Sequence, residues 1–267
     1  MDAVSDRRGN ARPGEDVTSL MQYIGTRARK AARALALTPE SARNAALAAM
    51  AENLRKAASE ILARNGDDVV LAREAGQNDA YIDRLTLNEA RLGAIAEAVE
   101  AIAALPARIL PLADRLRKAG GHYISAQFTL VPGRDGEPLI APHLKELRPF
   151  LGKGDFLPGA FGHDLVDALK PADFTIEKVA YSAFYQTRLE YVMRAMGIDT
   201  LIIGGIVTNG GVASTVRDAH LRDIRTILLS DGCAAFREEV HDATLISLGS
   251  VTQVMSCADT LAMMGDE

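Results

Sequence analysis

The stretch Gly197-Ile-Asp-Thr-Leu-Ile-Ile-Gly-Gly-Ile-Val-Thr-Asn-Gly-Gly-Val-Ala-Ser-Thr-Val-Arg-Asp-Ala-His220 decides how the chain is read. Thr200 to Val207 is a short, nearly uncharged run rich in Ile and Val, the pattern of a parallel strand covered on both faces. Thr208 to Gly211 supplies polar and glycine residues for a turn, after which Val212, Thr215, Val216 and Ala219 recur at helical spacing. A strand therefore feeds a helix here, and in open α/β sheets the carboxyl ends of the strands are where ligands bind.

Working outward, the same alternation repeats. Phe174 to Lys178 reads as a strand, Thr187 to Met196 as a helix, and Arg225 to Leu229 as a strand that stops at Ser230-Asp231-Gly232. His241 to Leu248 is helical and Val251 to Ser256 is the last strand. Upstream, Ile109 to Ala119 forms a helix ended by Gly120-Gly121, and His122 to Thr129 a strand. Val131 to Gly162 is a long loop punctuated by Pro132-Gly133 and Pro158-Gly159. Alternating strands and helices predict an α/β domain with a parallel sheet and right-handed crossovers over 106–267.

Val17 to Leu105 is alanine-rich and helical throughout. Thr38-Pro39 has the form of a helix start, with Asn65-Gly66 as its stop. Thr86-x-x-Glu89 has the form of a capping box, and Pro106 that of a helix end. Residues 1–16 read as a disordered leader, giving three segments: 1–16, 17–105 and 106–267.

The chain has 267 residues, 48% hydrophobic and 24% charged, with a net charge of -5. A clustered basic face for nucleic acid is not indicated, so a small-molecule partner is expected and nucleic acid is not. No apolar run long enough for a membrane span occurs, and membrane partners are not expected. The two cysteines, Cys233 and Cys257, are too few for a disulfide scaffold or a cysteine-rich zinc site. Both are expected to be core residues, and the default location is the cytoplasm. His122, His143, His163, His220 and His241 are scattered without ligand spacing, so no metal is expected. No phosphate or dinucleotide motif is present, so no cofactor is expected either.

Three ordered elements carry a resemblance. They are Lys170-Pro171-Ala172-Asp173-Phe174-Thr175-Ile176-Glu177-Lys178 with Tyr181-Ser182-Ala183-Phe184 and Thr187-Arg188-Leu189, then the 197–220 stretch, then Thr226-Ile227-Leu228-Leu229-Ser230-Asp231-Gly232. Together they resemble the isochorismatase-like (cysteine hydrolase) family over about 107–264. The resemblance implies a three-layer Rossmann-like domain. In amide-hydrolysing members the turn carries a cysteine nucleophile, an aspartate at the end of the first strand is the base, and a lysine orients and lowers the thiol pKa. The lysine maps onto Lys178 and the cysteine position falls on Gly211. Members that cleave the vinyl ether of isochorismate also lack the cysteine and rely on the aspartate as acid.

The resemblance further implies a non-proline cis peptide at Val207-Thr208. Thr208, Asn209 and Gly210 are then candidate substrate-binding residues, their backbone amides holding a carboxylate or oxyanion. A plain strand-to-helix turn is the alternative. Tyr181 and Phe184, with Phe128, are candidates for an apolar wall or for core packing. Asp231 is a candidate for lining the site or for capping a helix.

No strand ending in the family's aspartate motif is found before Ile109. Asp68 precedes rather than follows its apolar run and is set aside. In the family that first strand lies between the strands matching 122–129 and 200–207. Either those two strands pair directly, or a segment from another chain fills the gap, or the chain is a junction of two unrelated coding segments. Unpaired edges and the habit of the family both lead to an expected homo-oligomer.

Residues 20–104 resemble a different family, in Glu60-Ile61-Leu62-Ala63-Arg64-Asn65, Ala72-Arg73-Glu74-Ala75-Gly76, Tyr81-Ile82-Asp83-Arg84-Leu85-Thr86-Leu87 and Arg91-Leu92. These are similar to the amino-terminal helices of glutamyl phosphate reductase, which precede its nucleotide-binding fold and carry no catalytic residue. The expectation is a hydrolase acting on a small amide or vinyl ether, with impaired activity open. An inactive scaffold with oligomerising helices and a remnant of the reductase are the alternatives.

Overall fold

The computed structural model describes residues 17–36, 38–148, 151–160 and 162–265. The expected leader, 1–16, lies outside them. The chain divides into two compact units, Met1–Arg43 and Asn44–Glu267. In the first, α1 (Val17–Ala36) exposes Met21, Tyr23, Ile24 and Leu35. The Thr38 hydroxyl donates back to the Ala34 carbonyl at 2.8 Å, so it serves the end of α1 and not the start of α2 (Glu40–Lys56).

The helical stretch continues with α3 (Ala58–Glu74), α4 (Asp79–Leu85) and α5 (Glu89–Lys118). Asn65-Gly66 does not stop a helix but lies inside α3. Buried Asn65 instead spends its side chain on the α4–α5 connection, donating to the Leu85 carbonyl at 2.9 Å and accepting from Leu87 N–H at 2.7 Å. The break falls at Ala57. The expected capping box is also corrected: Asn88 caps α5, accepting from Arg91 N–H at 2.8 Å, while the Thr86 hydroxyl bonds back to Ile82 O at 2.7 Å.

Pro106 does not end a helix. α5 runs 30 residues through Pro106 and Pro111. An interior proline costs about 3 kcal/mol through its missing N–H and its ring. Burial of Leu105, Leu112 and Ala113 in the same helix offsets that cost.

The strands are β1 (Ile124–Phe128), β2 (Phe174–Lys178), β3 (Thr200–Ile206), β4 (Arg225–Ala234) and β5 (Gln253–Met255). Between them lie α6 (Pro142–Leu147), α7 (Leu189–Met196), α8 (Ala213–His220) and α9 (Glu238–Leu248), and α10 (Cys257–Met263) closes the fold. Every ladder is parallel, as the alternation predicts, and the chain has the α/β class with an amino-terminal helical region. The strands form two groups, β1-β2 and β3-β4-β5. Direct pairing of β1 with β3 is not found among the described residues.

β4 also extends past the expected stop. Ile203 lies opposite Leu228 but Gly205 opposite Cys233, so Ser230-Asp231-Gly232 belongs to a bulge from which pairing resumes. A Cβ on Gly204 would meet the Gly232 carbonyl at 2.9 Å, and one on Gly232 would meet Leu229 Cβ at 2.7 Å and Cys257 Sγ at 3.0 Å, so neither position has space for a side chain.

Helices cover both faces. On one, Val192 and Met193 of α7 and Ala219 of α8 pack with Ile124, Ile176 and Leu201. A second cluster joins Val212, Val216, Leu228 and Leu248. On the other face Leu112 of α5 packs with Leu229, Cys257 and Ile202. Among the described residues no helix is long and apolar enough to cross a membrane.

Candidate active site

The site is built at the carboxyl ends of β2 and β3. Lys178 ends β2, and its ammonium donates to the carbonyls of Ala180 at 3.0 Å and Tyr181 at 3.1 Å. The Phe128 ring lies 5.5 Å away. Desolvation holds the Lys178 pKa below the ordinary lysine value. Among the described residues no carboxylate oxygen comes within 4.0 Å of it to form an ion pair.

β3 leads into a tight π turn, Thr208–Val212, and then α8. The non-proline cis peptide is Ile206-Val207, one residue before the position the resemblance implied. Thr208 is fully buried, its hydroxyl 2.8 Å from His241 Nδ1, and so anchors the turn to α9. Asn209 is exposed, while Gly210 is buried. Thr215 donates to the Gly211 carbonyl at 2.7 Å and accepts from Ala183 N–H at 3.0 Å, tying the turn to the segment after β2.

The decisive geometry is at Gly211. A Cβ there would lie 3.3 Å from Lys178 Nζ and 3.2 Å from the Tyr181 carbonyl. The structure therefore brings together Lys178, Gly211 and the 181 segment, elements more than thirty residues apart in sequence. Tyr181 is 43% exposed and is held by Arg148, whose guanidinium stacks 4.4 Å above the ring and donates to its hydroxyl at 2.5 Å. Phe184, in contrast, packs in the core beneath α7. The Asp231 carboxylate accepts from Cys257 N–H at 2.6 Å at the start of α10, and its backbone carbonyl accepts from Arg108 at 3.1 Å. Burial pushes its pKa up, but the hydrogen bonds from Cys257 outweigh this and leave it below the usual value.

Both cysteines are buried. Burial pushes each thiol up to about 12, aided at Cys257 by the Asp231 carboxylate, so neither is a ready nucleophile. No group of His, Cys, Asp and Glu among the described residues could hold a metal ion. Three contacts escaped the sequence reading: Arg148 on Tyr181, His241 on Thr208, and buried His163, whose Nε2 lies 2.7 Å from the Thr129 hydroxyl. Each joins segments distant in sequence, and no local motif announces it. A cleft of about 410 Å³, lined by His220, Asp223, Arg225 and Gln253 among others, lies at the amino ends of β4 and β5, the edge opposite this site.

Known proteins align with this architecture. The isochorismatase domain family matches residues 77–259. An uncharacterized isochorismatase family protein of Bacillus subtilis is 34% identical over 135 residues, 50% of this chain and 69% of the relative. The amino-terminal region is similar to gamma-glutamyl phosphate reductases. That of Methylorubrum populi is 53% identical over 92 residues, 34% of this chain and 21% of the relative, so the chain spans about a fifth of the length of these reductases. Among solved structures, an isochorismatase-like hydrolase from Alkaliphilus metalliredigens is 26% identical, with 62% of this chain and 84% of that chain covered at a TM-score of 0.50. A cysteine hydrolase from Pseudomonas syringae pv. phaseolicola, 24% identical over 62% of this chain and 82% of its own, shares the fold at a TM-score of 0.55. With the family match spanning most of its length, the chain belongs to the isochorismatase family.

Proposed function

We propose that the chain is a hydrolase of this family acting on a small amide or vinyl ether at the 208–211 turn, with activity well below that of a complete site. The observation that supports this is the meeting of Lys178 with Gly211, 3.3 Å from ammonium nitrogen to Cβ position. Lys178 is the group able to donate to a carbonyl or ether oxygen, and its depressed pKa makes it a better proton donor than an ordinary lysine. Gly211 offers no thiol, so no covalent thioester step is available. Exposed Asn209 and Tyr181 flank the space and are the candidate substrate contacts.

A second reading, a catalytically inactive scaffold, is favoured by the lack of a described carboxylate beside Lys178. General acid–base help contributes ~10²- to 10⁴-fold, and its loss would leave little turnover. Screening primary amides and vinyl ethers with the full chain and with Lys178→Ala separates the two. Turnover that falls at least tenfold in the variant supports the hydrolase, and turnover indifferent to the substitution refutes it. A homo-oligomer belongs to the same proposal, and light scattering showing a monomer would overturn that part.

A further inference from the structure

α1 (Val17–Ala36) lies in the compact unit Met1–Arg43, and the hydrolase reading makes no use of it. Its residues sort onto two faces. Met21, Ile24, Ala28, Ala31 and Leu35 recur at spacings of three and four, so they share one stripe along the helix. All five are exposed, Met21 at 59% and Ile24 at 49%. Arg27 borders that stripe, and Lys30 lies further round the polar side. Tyr23 is on the same side, its ring 5.4 Å from the Arg27 guanidinium and its hydroxyl accepting from Arg27 at 3.4 Å. Among the described residues neither Arg27 nor Lys30 has an acidic partner. The sequence of the helix holds two further cations, Arg29 and Arg33, and no acidic residue; the nearest acids in sequence, Asp16 and Glu40, lie beyond its ends. A chain of net charge -5 thus gathers four positive charges and an apolar stripe onto 20 residues.

We propose that α1 is a membrane-surface anchor that lies flat on an anionic lipid bilayer, with the 21–35 stripe at the acyl boundary and the cations against the headgroups. The lack of a spanning run bears on crossing a bilayer and not on lying at its surface. Twenty residues at 1.5 Å each make a rod of about 30 Å, presenting the whole stripe to one plane. Tyr23, with an apolar ring and a polar tip, suits the same boundary. Charge selects the occupant. A second copy meeting stripe to stripe would bring two sets of four cations together with no acid between them. A neutral apolar partner would leave the cations unused. An anionic surface satisfies both faces, and each cation held near it strengthens binding about fivefold. The stripe is shallow, with Ala28 and Ala31 at its centre, so apolar burial and charge act together and the attachment is reversible and salt-sensitive. Lipid binding is read without turnover, so it stands or falls separately from the hydrolase reading.

The test is co-sedimentation of the full chain with vesicles of two parts phosphatidylcholine to one part phosphatidylglycerol, against vesicles of phosphatidylcholine alone. The anionic vesicles should bind at least about tenfold more tightly, and the difference should shrink as salt is raised. Hydrogen exchange in the bound chain should slow at 21–35 and stay unchanged at 200–206. Arg27→Gln/Lys30→Gln should weaken binding to the anionic vesicles about twenty- to thirtyfold, the product of two single-cation effects. Ile24→Ser/Leu35→Ser should weaken it at least about tenfold. All four side chains are exposed, so these variants leave the packed core untouched, and the comparison of the two vesicles on the parent needs no variant to fold. Failure to bind the anionic vesicles, equal binding to both, bound chain without protection at 21–35, or variants that bind like the parent would each overturn the proposal. So would protection of 21–35 that grows with protein concentration in the absence of lipid, since a second copy would then be the occupant. Soluble poly-glutamate that protects 21–35 as well as the vesicles do would also overturn it, because an acidic protein surface would then suffice.

Discussion

Gly211→Cys probes the electrostatics of the site at the atom where they matter. The new Cβ would sit 3.3 Å from Lys178 Nζ and 3.2 Å from the Tyr181 carbonyl. Both contacts are tight, but the first is with the free end of a flexible side chain. The backbone at 211 is also outside the left-handed region, so the turn has no conformational reason to reject a side chain. A thiolate about 4 Å from the ammonium gains roughly 4 kcal/mol at an effective dielectric near 20, equivalent to about three pKa units. Partial burial of the thiol opposes this, and solvent on the open side screens it. A net fall of about one to two units below the ordinary thiol value near 8.5 is expected.

The assay is the pH dependence of iodoacetamide alkylation in Gly211→Cys and in Gly211→Cys/Lys178→Met. Buried Cys233 and Cys257, with thiols near 12, stay silent, and the parent chain is the blank. The single variant should react with a midpoint near about 7, and the double variant at or above about 8.5. Coincident midpoints would refute the reasoning, because they would show that Lys178 does not face residue 211 in solution.

Three further outcomes follow from the packing. Desolvation depresses the folded-state pKa of Lys178, so the unfolded chain binds more protons in the window below 10.5 and stability rises with pH there. Urea unfolding from about pH 8 to 10.5 should show that rise in the parent and not in Lys178→Met; parallel curves would contradict it. Asn65→Ala removes both hydrogen bonds to the α4–α5 connection and should cost about 2 to 3 kcal/mol in the same assay, whereas a loss below ~0.5 kcal/mol would show that the connection is held by other contacts. Pro106→Ala restores a backbone donor within α5 and should stabilise by about 1 to 3 kcal/mol; a neutral or negative effect in thermal unfolding would place a helix break there after all.

Where sequence and structure agree, the signal was local and periodic. Phe174 to Lys178 is β2 without adjustment, and the run beginning at Thr200 is β3 to within one residue, because a buried parallel strand is written in consecutive apolar side chains. Where they differ, a long-range contact overrode a local preference. Asn65-Gly66 has the composition of a helix stop, yet α3 passes through it because the Asn65 side chain is used twenty residues away. Ser230-Asp231-Gly232 has the composition of a turn, yet β4 resumes because Gly204, without a side chain, lets the Gly232 carbonyl approach and Gly232 clears Leu229 and Cys257. In the candidate site, the family pattern pointed to Lys178 and the turn, and the structure brings the two together. Arg148 over Tyr181 and His241 under Thr208 were not, since a stacking partner or a hydroxyl anchor leaves no periodicity in the chain.

The helix α5 bears on how the two resemblances meet. The sequence reading sets the change of family near Pro106, but the isochorismatase domain match begins at residue 77 and the structural element is continuous from the Asn88 cap to Lys118. Its first half buries Leu92, Ala96 and Leu105, and its second half sets Leu112 against Leu229 and Cys257. Its Arg108 holds the carbonyl of Asp231 in the β4 bulge, and its Arg115 binds the carbonyls of Met264 and Gly265 after α10. The layer that covers β3 and β4 on this face is therefore capped before Pro106, at Asn88, and makes its sheet contacts after it, through Arg108 and Leu112. Helix formation is cooperative and a half-length helix is marginal on its own, so the boundary of resemblance is not a boundary of folding. The carboxyl edge that carries Lys178 and Gly211 depends, through β4, on a helix that runs unbroken across the point where the two resemblances meet.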